Sequence, residues 1–183
     1  GPSPDMVARK GIARTFQNLR LFMHMTFIDN LILGRHAKFK KNPLHAVFRI
    51  RREELKHREK VEELIDFLQL EAYRTVRISD RPYGVQKRAD IGRALAMEPK
   101  MLMLDEPISG LTAEEKQETA YLINEIRGRF KPTILLVEHD LRLASALADR
   151  MVALDLGIKI AEGKPEDVQR NPAVVKAYLG EDE

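Results

Sequence analysis

Two adjacent carboxylates, Asp105 and Glu106, follow the apolar run Met101-Leu102-Met103-Leu104 and precede Pro107. An apolar run of this length between polar segments predicts a buried strand of a parallel sheet. Ligands of open parallel sheets bind at the carboxyl ends of the strands, where this pair would stand. There one carboxylate can hold Mg²⁺, directly or through water, and the next can orient or deprotonate an attacking water. Taken alone, an ordinary acidic turn after a buried strand explains the pair as well. The neighbouring segments favour chemistry. Tyr83-Gly84-Val85-Gln86 opens a helical pattern, whose start leaves backbone N–H groups for an anion. Ser109-Gly110-Leu111-Thr112 follows the carboxylates, and a second apolar run, Ile134–Val137, ends in Glu138-His139-Asp140. A histidine at the end of a neighbouring parallel strand is placed to hydrogen-bond a terminal phosphate or a water.

The elements that must position these residues follow from periodicity and punctuation. Ile12–Phe16 reads as a strand ending at Gln17, and residues 18–27 as a loop with exposed apolar residues Leu19, Leu21, Phe22, Met23 and Met25. Asp29 is placed to cap a short helix through Leu33. Residues 51–69 form an amphipathic helix with Leu55, Val61, Leu64, Ile65 and Leu68 on one face. Ser79–Gly84 is read as a loop, and Val85–Met97 as a helix starting after Gly84, with small residues Ala89, Gly92 and Ala96 for close packing. Helices over 113–127 and 141–148, strands over 101–104 and 133–137, and a hairpin about Gly157 complete an α/β pattern. Short helices over 165–170 and 173–179 follow. Residues 30–97 are expected to be mainly helical.

The 183 residues correspond to one domain, or one domain in two lobes. Hydrophobic residues make up 44% and charged residues 32%, enough apolar side chains for a packed core. No cysteine is present, which excludes disulfides, thiolate metal sites and cysteine nucleophiles. No apolar run approaches the ~18 residues of a membrane span. The N-terminal residues lack an apolar leader core, so a cytosolic location is expected. The net charge of +3 hides an asymmetry: residues 35–60 carry ten Lys/Arg and three acids. That stretch is either a solvated helix face or a surface for anionic headgroups or an acidic partner. Nucleic acid is not expected, because only Phe39 and Phe48 accompany the charge and no recognition motif does. His24, His36, His45 and His57 have no ligand-like spacing and read as surface residues.

Taken in order, Gln17, the Tyr83–Gln86 loop, LMLDEP, SGL and VEHD resemble the ATP-binding subunit of an ATP-binding cassette (ABC) transporter. GIARTFQNLRLF, PYGVQKRADIGRALAMEPKMLMLDEP and the tail NPAVVKAYLG resemble the subfamily that powers uptake of branched-chain and other hydrophobic amino acids. The resemblance covers nearly the whole chain and implies a partial P-loop NTPase core of parallel strands with an inserted α-helical lobe, the N-terminal strands and phosphate-binding loop of the family core being missing. It implies that residues 1–17 end the N-terminal core, 18–98 form the helical lobe and 99–183 complete the nucleotide-binding core. It assigns Gln17 to the Q-loop, as sensor and ligand of Mg²⁺, and Asp105 to the metal-holding position. It assigns Glu106 as catalytic base and His139 as switch histidine. Ser109, Gly110, Leu111 and Thr112 would form the seam with a second ATPase subunit. Pro82, Tyr83, Gly84, Val85 and Gln86 would meet the nucleotide bound to that subunit. The Leu19–Met25 segment would border the groove for a transmembrane permease, with the protein peripheral at the inner face of the cytoplasmic membrane. The cofactors implied are ATP and Mg²⁺.

Two departures from the family pattern carry expectations of their own. The phosphate-binding loop G-x-x-x-x-G-K-[ST] does not occur; Gly157 to Gly163-Lys164-Pro165 has five intervening residues and a proline where a hydroxyl is needed. In the family that loop and the adenine-stacking aromatic lie ahead of the Q-loop, so this chain alone is expected not to hydrolyse ATP. The signature loop has Arg81, Pro82 and Tyr83 where the general pattern has leucine, serine and glycine, which removes one hydroxyl donor to phosphate. A catalytically silent module that docks to a sibling ATPase or to membrane subunits is the alternative reading.

Overall fold

A computed structural model describes residues 1, 3–38 and 46–179. The chain divides into two units, Gly1–Leu135 and Leu136–Glu183.

In the first unit, helix α1 (Pro4–Arg9) leads into strand β1 (Ile12–Arg14). Strand β2 (Met101–Asp105) pairs with β1 in parallel, Ile12 opposite Met101 and Arg14 opposite Met103. Strand β3 (Thr133–Val137) completes the order β1-β2-β3. Parallel pairing requires a long crossover, and here the chain between β1 and β2 builds the helical part of the unit. The apolar runs predicted the strands, but burial differs between them. Leu102 and Leu104 are buried, whereas Leu135 is 42% and Val137 52% exposed. The sequence reading of β3 as a buried strand is therefore corrected. It is the terminal strand of its sheet, and its alternate residues face outward among the described residues.

Helix α2 (Phe27–Gly34) is capped by Thr26, whose Oγ1 accepts the Asp29 N–H at 3.2 Å. Asp29 sits inside the first turn and is not the cap that the sequence suggested. There its carboxylate accepts the Thr26 hydroxyl at 2.6 Å and complements the helix dipole. Helix α3 (Ala46–Phe67) starts before the predicted residue 51, and Val61, Leu64, Ile65 and Leu68 bury the expected stripe. Leu55 does not join it and is exposed. Helix α4 (Tyr83–Leu95) begins directly after Pro82, whose carbonyl accepts the Gln86 N–H at 3.1 Å. Gly84 thus lies in the first turn instead of ahead of the helix. It is needed there for space, since a Cβ would come within 2.3 Å of Glu115 Oε1. The single turn Ile78–Asp80 likewise replaces part of the predicted loop.

Helices α2, α3 and α4 share a core of Phe27, Leu31, Val61, Ile65, Leu68 and Ile91. A Cβ on Gly34 would lie 2.3 Å from the Arg93 carbonyl oxygen, a backbone atom of α4. Gly34→Ala is expected to force the helices apart and cost about 1–3 kcal/mol. A thermal unfolding midpoint unchanged from wild type would refute that approach. Of the ten basic residues in 35–60, Arg35 is buried: its Nη1 donates to the Ala96 carbonyl at 3.1 Å and to Glu98 at 3.0 Å. Its Nε donates to His57 Nδ1 at 3.1 Å, so His57 is half-buried and not the surface residue expected. His24 and His36 are exposed as read; Lys40, Lys41 and His45 lie outside the described residues. Helix α5 (Ala113–Phe130) opens with a capping box between Thr112 and Glu115 and ends at Lys131 in the left-handed region.

The second unit contains helix α6 (Leu141–Leu147), the antiparallel hairpin of β4 (Met151–Asp155) and β5 (Ile158–Gly163), and helices α7 (Pro165–Gln169) and α8 (Pro172–Leu179). Leu156 and Gly157 both have positive φ at the hairpin turn, the geometry that matches strand twist in a two-residue loop. Ala153, Val168 and Val174 form its small core. Among the described residues no helix is long and apolar enough to cross a membrane.

Candidate functional site

Strands β1 and β2 end side by side, because they are parallel and in register, and so bring Arg14–Gln17 next to Asp105 and Glu106. The Thr15 N–H extends the ladder to the Met103 carbonyl at 2.9 Å, and Thr15 Oγ1 accepts the Asp105 N–H at 3.2 Å. These bonds fix how the two strand ends leave the sheet. Gln17 Nε2 then donates to Glu106 Oε2 at 2.8 Å. Beside it, Arg14 Nη2 donates to Asp105 Oδ2 at 2.8 Å in a partly exposed ion pair. Three predicted residues, Gln17, Asp105 and Glu106, thus meet at one strand edge.

Glu106 has φ 44°, in the left-handed region, which a non-glycine residue occupies at a cost of about 1–3 kcal/mol. Its carbonyl accepts two donors, the Ser109 N–H at 3.2 Å and Lys87 Nζ at 2.8 Å. These bonds turn the chain sharply at the strand end and present the Glu106 carboxylate toward Gln17.

The predicted loop residues divide by environment. A Cβ on Gly110, where φ is 78°, would stand 3.2 Å from Tyr83 Cε1, so Tyr83 packs on the Ser109–Thr112 segment. Burial, then the charge of Asp90, raises the Tyr83 hydroxyl above its ordinary range. Gln86 is turned inward, its Nε2 donating to the Arg81 carbonyl at 2.7 Å, while Val85 is half-buried. Leu21 is buried and Leu19, Met23 and Met25 are half-buried, which leaves Phe22 as the exposed apolar residue of that loop. The loop closes on itself: Asn30 bonds both the N–H and the carbonyl of Phe22. His139 belongs to the second unit, where its ring is exposed and its Nδ1 lies 3.9 Å from Glu138 Oε2.

Sequence reasoning missed Arg14, Thr15, Lys87 and Asp90. The available signal was a pair of opposite charges, Lys87 and Asp90, three apart on a helix face that otherwise buries Ala89, Ile91 and Ala94. Asp90 accepts Arg93 Nη2 at 2.9 Å and the Phe16 N–H. Burial raises its carboxyl above the ordinary range, and Arg93, the Phe16 N–H and Lys87 pull it down without overcoming burial. A raised native-state value means the folded chain holds this proton more tightly than the unfolded one. The contribution of Asp90 to stability is therefore greatest at acid pH and declines as pH rises from the ordinary aspartate range through the raised value. Urea unfolding over that pH range should show wild type losing stability relative to Asp90→Asn. A gain with rising pH would show that Arg93 dominates instead.

Asp105 and the Gln17 amide offer hard oxygen donors, which suit Mg²⁺, an ion held by one or two carboxylates with water and phosphate oxygens. Among the described residues no group of three or more His, Cys, Asp or Glu could hold a metal unaided. The donor set therefore fits an ion shared with a phosphate ligand, provided Arg14 yields Asp105.

Known proteins share this arrangement of sequence and fold. A model of the ABC transporter family matches residues 4–109, and one of the branched-chain amino acid ATP-binding cassette transporter matches residues 159–183. The chain is 38% identical over 178 residues to the high-affinity branched-chain amino acid transport ATP-binding protein BraF of Pseudomonas aeruginosa, covering 96% of this chain and 70% of that protein. It is 36% identical over 180 residues to LivG of Escherichia coli, covering 97% and 71%. Its fold is similar to the ADP conformation of MJ1267, an ATP-binding cassette of an ABC transporter, with TM-score 0.78 and 28% identity over 98% of this chain and 72% of that one. A nucleotide-free ATP-binding cassette matches with TM-score 0.76 and 29% identity over 98% and 73%. With a family model matched over more than half of its length and relatives above 30% identity covered to 70% and 71%, the chain belongs to the ATP-binding proteins of ABC transporters, close to those for branched-chain amino acids.

Proposed function

We propose that this chain carries the hydrolytic half of the ATP-binding subunit of an ABC importer, coupling ATP hydrolysis to uptake of branched-chain or related amino acids. The observation that carries the reading is the Gln17 Nε2 to Glu106 Oε2 contact of 2.8 Å at the end of a parallel strand. Glu106 is the base toward an attacking water, and Gln17 orients its carboxylate. When bound with nucleotide, Mg²⁺ held by Asp105 and Gln17 would offset charge on the phosphate oxygens. His139 is assigned as the switch histidine. The Ser109–Thr112 segment is assigned to the seam with a second ATPase subunit, and Tyr83–Gln86 to the nucleotide on that subunit. Residues 18–98 form the helical lobe, residues 1–17 and 99–183 belong to the nucleotide-binding core, and exposed Phe22 marks the surface for a permease. The protein then works at the cytoplasmic face of the membrane.

No phosphate-binding loop motif occurs in the sequence, so turnover requires that loop from outside these residues. Titration calorimetry tests this. The chain alone should bind no Mg-ATP up to millimolar concentration. A chimera with the N-terminal portion of the Pseudomonas relative in front should bind it, and Asp105→Ala should weaken that binding. A chimera that binds no nucleotide would overturn the reading. The Arg14–Asp105 ion pair favours a second reading, a catalytically silent module in which the metal-holding carboxylate is already satisfied. In that case nucleotide would leave Arg14 on Asp105, and the chain would co-purify with an intact ATPase.

A further inference from the structure

The Gln17–Glu106 contact joins two segments that are each held from a third, helix α4. Lys87 and Asp90 are 4% and 2% exposed, a costly placement for two charges that apolar residues of the same volume would avoid. The cost is offset by charge-assisted bonds, and most of these go to the main chain of other segments. Lys87 Nζ donates to the Glu106 carbonyl at 2.8 Å. One turn further along α4, Asp90 accepts the N–H of Phe16, the residue before Gln17. Arg93, paired to Asp90 at 2.9 Å, donates to the Arg20 carbonyl at 2.7 Å. Helix α4 thus clips the chain on both sides of Gln17 and the backbone of Glu106 at the same time.

We infer that Lys87 and Asp90 are positioning residues that hold Gln17 and Glu106 in register, so that displacement of α4 moves both members of the pair together. The geometry has a directional consequence. Tyr83, at the start of the same helix, lies about one turn from Lys87 and two from Asp90, and Gln86 is next to Lys87. A force on that end reaches the carboxylate through two buried side chains and not through the loop alone. The left-handed φ of Glu106 makes the arrangement sensitive, because the turn depends on donors to its carbonyl. The catalytic meaning rests on the reading of Glu106 as the base; the clip itself does not.

The test uses this chain without nucleotide and reads the side-chain amide of Gln17 by NMR. Neither Lys87→Met nor Asp90→Asn alters Gln17 or Glu106. Each is expected to shift the Gln17 Nε2 proton resonances and speed their exchange with water roughly tenfold, the scale of one hydrogen bond's net strength. Lys87→Arg, which keeps a cationic donor, should restore the wild-type signals. The side-chain amide of Gln86 on the same helix, bonded to the Arg81 carbonyl just ahead of it, is the internal control and should stay unchanged. An unmoved Gln17 amide in the folded variants overturns the inference, whatever the nucleotide titration finds. So does a matching change in Gln86, which would mean general loosening. If Lys87→Met does not fold, Asp90→Asn carries the same test with the same two outcomes.

Discussion

Glu106→Gln is expected to lower ATP turnover of the chimera by about 10²–10⁴-fold, the usual contribution of a general base, while leaving nucleotide binding within a few fold of wild type. The substitution replaces one oxygen by an amide nitrogen and keeps the side chain's shape. Its effect is therefore on proton affinity and not on packing. Gln17, which donates to Glu106 Oε2, can still bond the remaining oxygen, so the strand edge should keep its geometry. Lys87 and Ser109 bond the backbone carbonyl of residue 106 and are indifferent to the change. Single-turnover kinetics alongside titration calorimetry separate the two effects. Turnover retained in this variant would remove Glu106 as base and leave it the role of anchor for Gln17.

Phe27→Ala is expected to cost about 3–5 kcal/mol, the range for emptying a fully buried aromatic site. Phe27 is 0% exposed, opens α2 and packs against Tyr73 with ring centroids 5.8 Å apart. Its N–H also bonds the Val76 carbonyl, so the backbone there is anchored and cannot easily collapse into the space. Against a total of roughly 5–15 kcal/mol, such a loss brings the first unit near its unfolding midpoint. Urea titration followed by circular dichroism should show a much lower midpoint with an unchanged slope. Phe27→Leu should cost clearly less. An alanine variant within about 1 kcal/mol of wild type would mean that Tyr73 fills the cavity by itself.

Glycine placement shows how local patterns fell short. Gly84 reads as a loop residue, and its true reason lies in Glu115, which approaches it from α5. Sequence alone puts the cap of α2 at Asp29, three residues late, because Thr26 and Asp29 are both good caps and only the chain path chooses Thr26. Leu55 fits the helical stripe by spacing, yet no neighbour covers it among the described residues.

The sequence by itself determined the parallel strands, the helical stripe of Val61, Leu64, Ile65 and Leu68, the carboxylate pair, Gln17 and membership of the family. These follow from local periodicity, from residue type at the end of an apolar run, and from motif order, none of which needs coordinates. Only the tertiary structure decided that Gln17 reaches Glu106 across 89 residues of chain and that Arg14 claims Asp105 across 91. It alone decided that Lys87 and Asp90 are buried and that Glu106 adopts a left-handed φ. A charged residue's burial depends on which distant groups answer its charge, and a strand's burial depends on what covers its far side. Both are properties of the packed chain, and no window of sequence contains them.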